Sequence, residues 1–152
     1  MKVMNIYHDS VVDGEGLRTV IFFAGCPHHC LGCHNPKSWD IHNGIEMSVN
    51  DICAEVLLNP LSNVTLSGGE PFLQAREVKK LAKTLKAKKK NIWIYSGYTY
   101  EELISSENTH VLELLSHCDV LVDGPFLLEE RDISLRFRGS SNQRILSLKK
   151  LQ

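Results

Sequence analysis

Three cysteines lie within one short stretch, and they are the residues of this sequence best suited to chemistry. Cys26, Cys30 and Cys33 are separated by three and then by two residues. Most all-cysteine iron-sulfur clusters have four thiolate ligands, and a loop of this spacing can wrap three corners of such a cluster. The spacing therefore predicts a cluster in which one iron has no protein ligand. An open iron favours reaction with a bound molecule over simple electron transfer.

A zinc site is the alternative for the same loop. Zinc accepts mixed Cys and His ligands, and His28, His29 and His34 stand beside the thiols. Zinc loops usually draw a second ligand pair from far along the chain, but Cys53 and Cys118 are isolated within helix-like apolar patterns. We interpret these two as core thiols, since cysteine often packs as a small hydrophobe, and the histidines as polar loop residues. The zinc alternative stays open.

Alternating strands and helices must position the cysteine loop. Apolar and β-branched runs predict strands over 17–24, 63–66, 91–95 and 119–122. Helical spacing and capping boxes predict helices that begin at Ser48 and at Thr99, and others over 75–88 and 111–117. Strands separated by helices indicate right-handed crossovers, so the expected fold class is α/β with a mostly parallel sheet.

Four loops follow the predicted strands, at 26–33, 67–70, 96–98 and 123–125. Ligands bind beyond the carboxyl ends of parallel strands, so these loops predict one shared site. A complete eightfold barrel needs about 250 residues, and a chain of 152 residues can build only a partial, open barrel or a short open sheet. No repeat or linker divides the sequence, which predicts a single domain over 1–152.

Charge and hydropathy exclude several classes of partner. The formal net charge is -1, which argues against a broad cationic surface for nucleic acid or acidic membrane. The N-terminus lacks the apolar stretch of a secretory signal, and no segment approaches the roughly 18 apolar residues that span a bilayer. We expect a cytoplasmic protein whose partners are neither nucleic acid nor membrane.

The cysteine spacing resembles the signature of the radical S-adenosylmethionine (SAM) superfamily. Gly68, Gly69 and Glu70 resemble its second motif, which contacts the methionyl amino group of SAM. Paired glycines let backbone approach a ligand closely, and a carboxylate can accept hydrogen bonds from an ammonium group. Five further stretches resemble one subfamily, the activating proteins of anaerobic ribonucleoside-triphosphate reductase. They are 13–18, 33–39, 95–103, 123–126 and 136–144.

The resemblance implies a partial β/α barrel of the radical SAM type, with a 4Fe-4S cluster on Cys26, Cys30 and Cys33 and with SAM on the open iron. It implies reductive cleavage of SAM to a 5'-deoxyadenosyl radical, which generates a glycyl radical on the reductase. The implied partners are the large subunit of the reductase and a low-potential electron donor such as flavodoxin or ferredoxin, in a homodimer or a heterotetramer with the reductase. The alternatives are activation of another glycyl radical enzyme, a small-molecule radical reaction, and a non-catalytic zinc-binding module.

The resemblance also implies which residues contact the cofactor: Gly32, Cys33, His34, Gly68, Gly69, Glu70, Ser96 and Asp123. Gly32 stands where many superfamily members carry an aromatic residue against adenine, so His34 and strand-end backbone are the candidates for that place. The fourth loop lacks the lysine with which relatives that activate pyruvate formate-lyase hold the SAM carboxylate, so we expect Ser96 or a nearby basic group there. Four charged residues either steer the partner's glycine loop or have a structural role, in which they pair on the surface or cap strands: Asp13, Arg18, Arg136 and Arg138.

Overall fold

A seven-stranded sheet forms the centre of the computed structural model, which describes residues 1–151. The strands are β1 (Lys2–Ser10), β2 (Arg18–Phe23), β3 (Ile45–Glu46), β4 (Asn63–Gly68), β5 (Ile92–Tyr95), β6 (Val120–Asp123) and β7 (Arg144–Ser147). The helices are α1 (Val49–Val56), α2 (Ala75–Ala87), α3 (Tyr100–Ser105), α4 (Thr109–Ser116) and α5 (Leu148–Leu151). The four strands and four helices that the sequence predicts are all present, and the predicted starts and ends differ from the observed ones by at most two residues.

The sheet is mixed, in the order β3-β1-β2-β4-β5-β6-β7. The central strands β2, β4, β5 and β6 are parallel neighbours, whereas β1, β3 and β7 add antiparallel pairs at the two sides. The parallel part is the part that strand-helix alternation predicts. The antiparallel strands went unpredicted because no helix separates β1 from β2, and β7 pairs with β6 across a long connection.

The two faces of the central strands have different roles. Successive side chains of a strand point to opposite faces. On one face Ile21, Leu66 and Ile94 are fully buried in the core, together with apolar residues of α1, α2 and α4. Because the parallel strands follow one another in one direction across the sheet, right-handed crossovers place their helices on this same face. The opposite face, which carries Phe22 and Tyr95, is therefore left to line a cavity.

Local capping fixes where two of the helices begin. The Ser48 hydroxyl accepts from Asp51 N while the Asp51 carboxylate accepts from Ser48 N, and Thr99 and Glu102 form the same capping box. Each box satisfies two backbone donors that the first turn would leave unpaired. The Thr99 box starts α3 directly after the β5 loop, which holds that loop at the carboxyl edge of the sheet.

No helix among residues 1–151 is long and apolar enough to cross a membrane.

Candidate functional site

A cavity of about 430 Å³ lies at the carboxyl edge of the parallel strands. Its volume is within the range of small-molecule sites, roughly 300–1,000 Å³. Each of the four loops that the sequence places at this edge contributes to the lining, and so does a long connection from β6 to β7. We call residues 124–143 of that connection the wall segment. The predicted site residues in the lining are Cys26, Cys30, Cys33, His34, Gly68, Gly69 and Ser96.

The cysteine loop begins directly after β2 and is tied down at its start. Gly25 N donates to the Ser38 carbonyl at 2.6 Å, and Cys26 N donates to the Trp39 carbonyl at 3.2 Å. A turn follows, in which Cys33 N donates to the Cys30 carbonyl at 3.0 Å. These bonds fix the backbone of the loop, and all three cysteines line the cavity.

The chemistry of the loop fits an iron-sulfur cluster. All three thiols are free and partly exposed, and Asn35 N lies 3.5 Å from Cys33 Sγ as a donor. Hydrogen bonds to cluster sulfurs are one way in which proteins tune such centres. Within residues 1–151 no three His, Cys, Asp or Glu side chains form a ready-made metal site. The structural support is therefore a cavity shared by three free thiols, and Cys26, Cys30 and Cys33 would be the ligands.

The remaining cysteines lie in the core. Cys53 and Cys118 are both buried, and burial raises the pKa of each thiol. Burial also raises the pKa of Cys26, against which backbone donors at His28 and His29 act in the opposite direction. The division of the cysteines into a loop group and a core pair thus agrees with their locations.

The Gly-Gly-Glu loop approaches the cysteine loop as closely as backbone allows. Gly68 has φ +103°, and a Cβ there would lie 2.2 Å from Phe23 N. A Cβ on Gly69 would lie 2.4 Å from the Gly25 carbonyl oxygen. In the structure Glu70 N donates to that same oxygen at 2.8 Å. Only glycine fits at these two positions, and the resulting backbone lines the cavity.

Glu70 itself is fully buried and lies outside the lining. Its Oε1 accepts from Ser96 Oγ and from Gly97 N, both at 2.8 Å, and lies 2.6 Å from His28 Nε2. Its Oε2 accepts from Phe72 N at 3.1 Å. The carboxylate thus holds three loops together, where the sequence predicts a hydrogen bond to a ligand ammonium. That contact stays a prediction.

The other predicted contacts divide between the cavity and its supports. His34 lines the cavity, with its ring 5.3 Å from that of Phe126 in the wall segment. Gly32 lies outside the lining and against Leu128, which a Cβ would meet at 2.8 Å. Ser96 lines the cavity, but its hydroxyl proton is donated to Glu70. The contacts of Gly32, His34 and Ser96 with SAM stay predictions.

Asp123 lies beneath the site. It is almost fully buried and bonds with both oxygens to Arg144, while Oδ2 also accepts from Tyr100 N at 2.7 Å. The Asp123 and Glu101 carboxylates together raise the pKa of Arg144. The arrangement fixes the ends of β6 and β7 and the start of α3. In this structure Asp123 acts as a support for the fourth loop.

Arg18 is buried at the amino end of β2, away from the loops. Its Nε donates to Thr65 Oγ1 at 2.8 Å, and its guanidinium lies over Trp93, 5.5 Å from the ring centroid. Burial lowers its pKa to about 10. Of the roles considered for Arg18, the structure shows strand capping: Nη2 donates to the Val64 and Asn91 carbonyls at the starts of β4 and β5, at 2.8 and 2.9 Å.

Several lining residues were not predicted from the sequence. They include Phe22, Tyr95, Phe126, Phe137 and Gln143. The signal for Phe22 and Tyr95 was strand alternation, because each neighbours a core residue on its strand. The wall segment contains few regular elements and offers no alternation, but its lining residues Phe126, Phe137 and Gln143 lie in the stretches 123–126 and 136–144 that resemble the subfamily. Its position depends on Tyr95, whose hydroxyl donates to the Phe137 carbonyl at 2.5 Å.

Comparisons with known proteins show which family the chain belongs to. Residues 12–146 match the family described as a 4Fe-4S single cluster domain, and the matched range contains all three loop cysteines. The chain is also similar to proteins named anaerobic ribonucleoside-triphosphate reductase-activating protein. That of Haemophilus influenzae is 35% identical over 94% of this chain and 96% of its own length. That of Vibrio cholerae is 36% identical over 94% of this chain and 96% of its own length. That of Enterobacteria phage T4 is 32% identical over 97% of this chain and 94% of its own length. The chain therefore belongs to the family of anaerobic ribonucleoside-triphosphate reductase-activating proteins.

Proposed function

We propose that this protein is a radical SAM activase that generates a glycyl radical on anaerobic ribonucleoside-triphosphate reductase. The observation that carries the proposal is one cavity lined by Cys26, Cys30, Cys33 and by the backbone of Gly68 and Gly69. The cluster on these cysteines supplies, when bound, the low-potential electron that the reaction requires. The names of the related proteins support the identity of the partner.

The reaction consumes one electron and transfers one hydrogen atom. The electron, delivered from a reduced flavodoxin or ferredoxin, breaks the bond between the sulfonium and C5' of SAM. Methionine leaves with the electron pair on sulfur, and the 5'-deoxyadenosyl radical takes a hydrogen atom from the α-carbon of a reductase glycine. The products are methionine, 5'-deoxyadenosine and the glycyl radical. The protein's own task is to hold SAM in one orientation and to exclude water and other hydrogen donors.

The lining suits a molecule with a flat base and a charged amino acid end. The rings of His34 and Phe126 give the cavity aromatic surface, which favours adenine. The Gly69 backbone can approach a ligand closely because no side chain intervenes.

Exposed apolar side chains also flank the site. Val12 lies in its lining and Leu31 within the cysteine loop. Apolar surface beside a site suits contact with a partner protein.

The test is anaerobic reconstitution with iron and sulfide, reduction, and addition of SAM and the reductase. We expect a glycyl radical signal by electron paramagnetic resonance together with 5'-deoxyadenosine. A signal only with a different glycyl enzyme would contradict the partner, and SAM cleavage that serves a small molecule would contradict the activase. A protein that holds stoichiometric zinc and forms no cluster would instead be the binding module.

A further inference from the structure

Arg138 places a positive charge in the wall of the cavity. Among the described residues that line the cavity, it is the only lysine or arginine. Its Nη1 donates to the Gln143 carbonyl at 2.7 Å, whereas its Nε is buried and has no hydrogen-bond partner. A buried donor without a partner is costly, more so on a charged group. The guanidinium therefore has donor capacity that the protein leaves unused.

The backbone on both sides of Arg138 is held in place. The Phe137 carbonyl accepts from Tyr95 Oη, and the Phe137 ring packs edge-on against Trp93 with centroids 5.3 Å apart. On the other side, Gly139 N and Ser140 N donate to the Gln143 side-chain oxygen at 2.9 and 3.2 Å. A charged side chain whose backbone is held in this way loses little further conformational freedom when it binds a ligand. Preorganisation of this kind favours affinity.

Arg138 has no carboxylate partner in the part of the chain that the structure describes. None of the ion pairs there includes it. The two acidic side chains to consider are Asp13 in the lining, which accepts from Ser10 Oγ, and Asp132 in the wall segment. Hydrogen bonds from Ser134 lower the pKa of Asp132, and the charge of Arg138 adds a smaller effect at a distance.

We propose that Arg138 binds the α-carboxylate of SAM, an inference that rests on the proposed function. SAM carries two positive groups, the sulfonium and the ammonium, and its carboxylate is its one anion. The planar fork of arginine matches a carboxylate in a bidentate manner, which a lysine cannot reproduce. Arg138 thereby fills the place for which the fourth loop offers no lysine.

The test is a comparison of two ligands on the reconstituted, anaerobic holoprotein. Dissociation constants for SAM and for decarboxylated SAM are measured by titration calorimetry with wild type and with Arg138→Gln. We expect Arg138→Gln to weaken SAM binding about 10- to 100-fold and to change the affinity for decarboxylated SAM by less than about twofold, since that ligand lacks the group that Arg138 contacts. Arg136→Gln is the matched control, because Arg136 is exposed over the Phe137 ring and outside the lining. It should bind SAM like wild type.

Unchanged SAM affinity in Arg138→Gln would overturn the proposal, and so would an equal loss for both ligands, which would indicate damage to the whole cavity. Should Arg138→Gln fail to hold a cluster, Arg138→Lys replaces it. That variant keeps the charge without the fork, so it should bind SAM more weakly than wild type does, and wild-type affinity for SAM would overturn the bidentate contact. A wild-type holoprotein that binds no SAM at all would instead contradict the proposed function itself.

Discussion

His28 Nε2 and Glu70 Oε1 lie 2.6 Å apart, and this contact joins the cysteine loop to the Gly-Gly-Glu loop. The same oxygen accepts from Ser96 Oγ and Gly97 N, which belong to the loop after β5. One buried atom thus connects three of the four loops that surround the cavity. The position of the cysteines therefore depends on a residue that contributes nothing to the lining.

Replacing Glu70 should lower the stability of the protein in a graded way. Glu70→Ala leaves Ser96, Gly97 and Phe72 donors without a partner, and we expect it to lower the free energy of unfolding by about 3 kcal/mol. In Glu70→Gln the amide oxygen can accept the same bonds as Oε1, but the amide nitrogen faces Phe72 N, so the loss should be smaller. Urea unfolding measures both. Equal stability of Glu70→Ala and wild type would rule out the structural role and favour direct contact with a ligand.

The cysteines should separate into two groups when they are changed one at a time. Cys30→Ala removes a proposed ligand, so reconstituted protein should lose most of its iron, about four atoms per chain for the intact cluster. Cys53→Ala is the matched control, since Cys53 lies in the core and its loss should spare the cluster. Iron content and visible absorption measure the difference. Similar losses in the two variants would contradict the assignment of ligands.

Cys118 should make stability decrease at alkaline pH. Burial raises the pKa of its thiol above the ordinary value of 9.0, so above pH 9 the unfolded chain releases a proton that the folded chain keeps. The unfolded state then binds fewer protons, and the free energy of unfolding falls as the pH rises. This one group should contribute a loss of about 1.4 kcal/mol between pH 8 and pH 10.

The contribution of Cys118 can be isolated with Cys118→Val. Urea unfolding of wild type and variant at pH 8, 9 and 10 should show a difference in stability that shifts in favour of the variant by about that same 1.4 kcal/mol. Parallel pH profiles for the two proteins would show that the thiol ionises equally in both states.

Gly68→Ala should disrupt the site from within the sheet. The new Cβ would lie 2.2 Å from Phe23 N at a positive φ, so β4 must move away from β2 next to the cysteine loop. We expect a loss of at least about 2 kcal/mol in unfolding free energy and weaker cluster retention. Gly16→Ala is the control, since Gly16 also has a positive φ but no neighbour near its Cβ position. If the two variants are equally stable, backbone conformation and not the close approach decides the cost.

Local chemistry explains what the sequence could predict. The capping boxes at Ser48 and Thr99 are complete within four residues, so the helix starts are readable without the fold. The role of Glu70 was not readable in this way, because its partners His28 and Ser96 come from loops 42 and 26 residues distant. The same holds for Asp123, whose partner Arg144 lies on a strand that pairs only at the edge of the sheet. Short motifs predict which loops line the cavity. The contacts of Glu70 and Asp123 can be seen only in the structure, because their partners are distant in the sequence.

The wall segment contributes to ligand contacts but not to the packing of the core. None of its residues, all of which the structure describes, belongs to the hydrophobic core, yet it supplies Phe126, Arg138 and Gln143 to the cavity. Substitutions there can alter ligand contacts while the packing that stabilises the fold stays intact. Evolution can therefore adjust the fit of this cavity within one stretch of sequence, at little cost to folding, while the loops joined by Glu70 remain constrained.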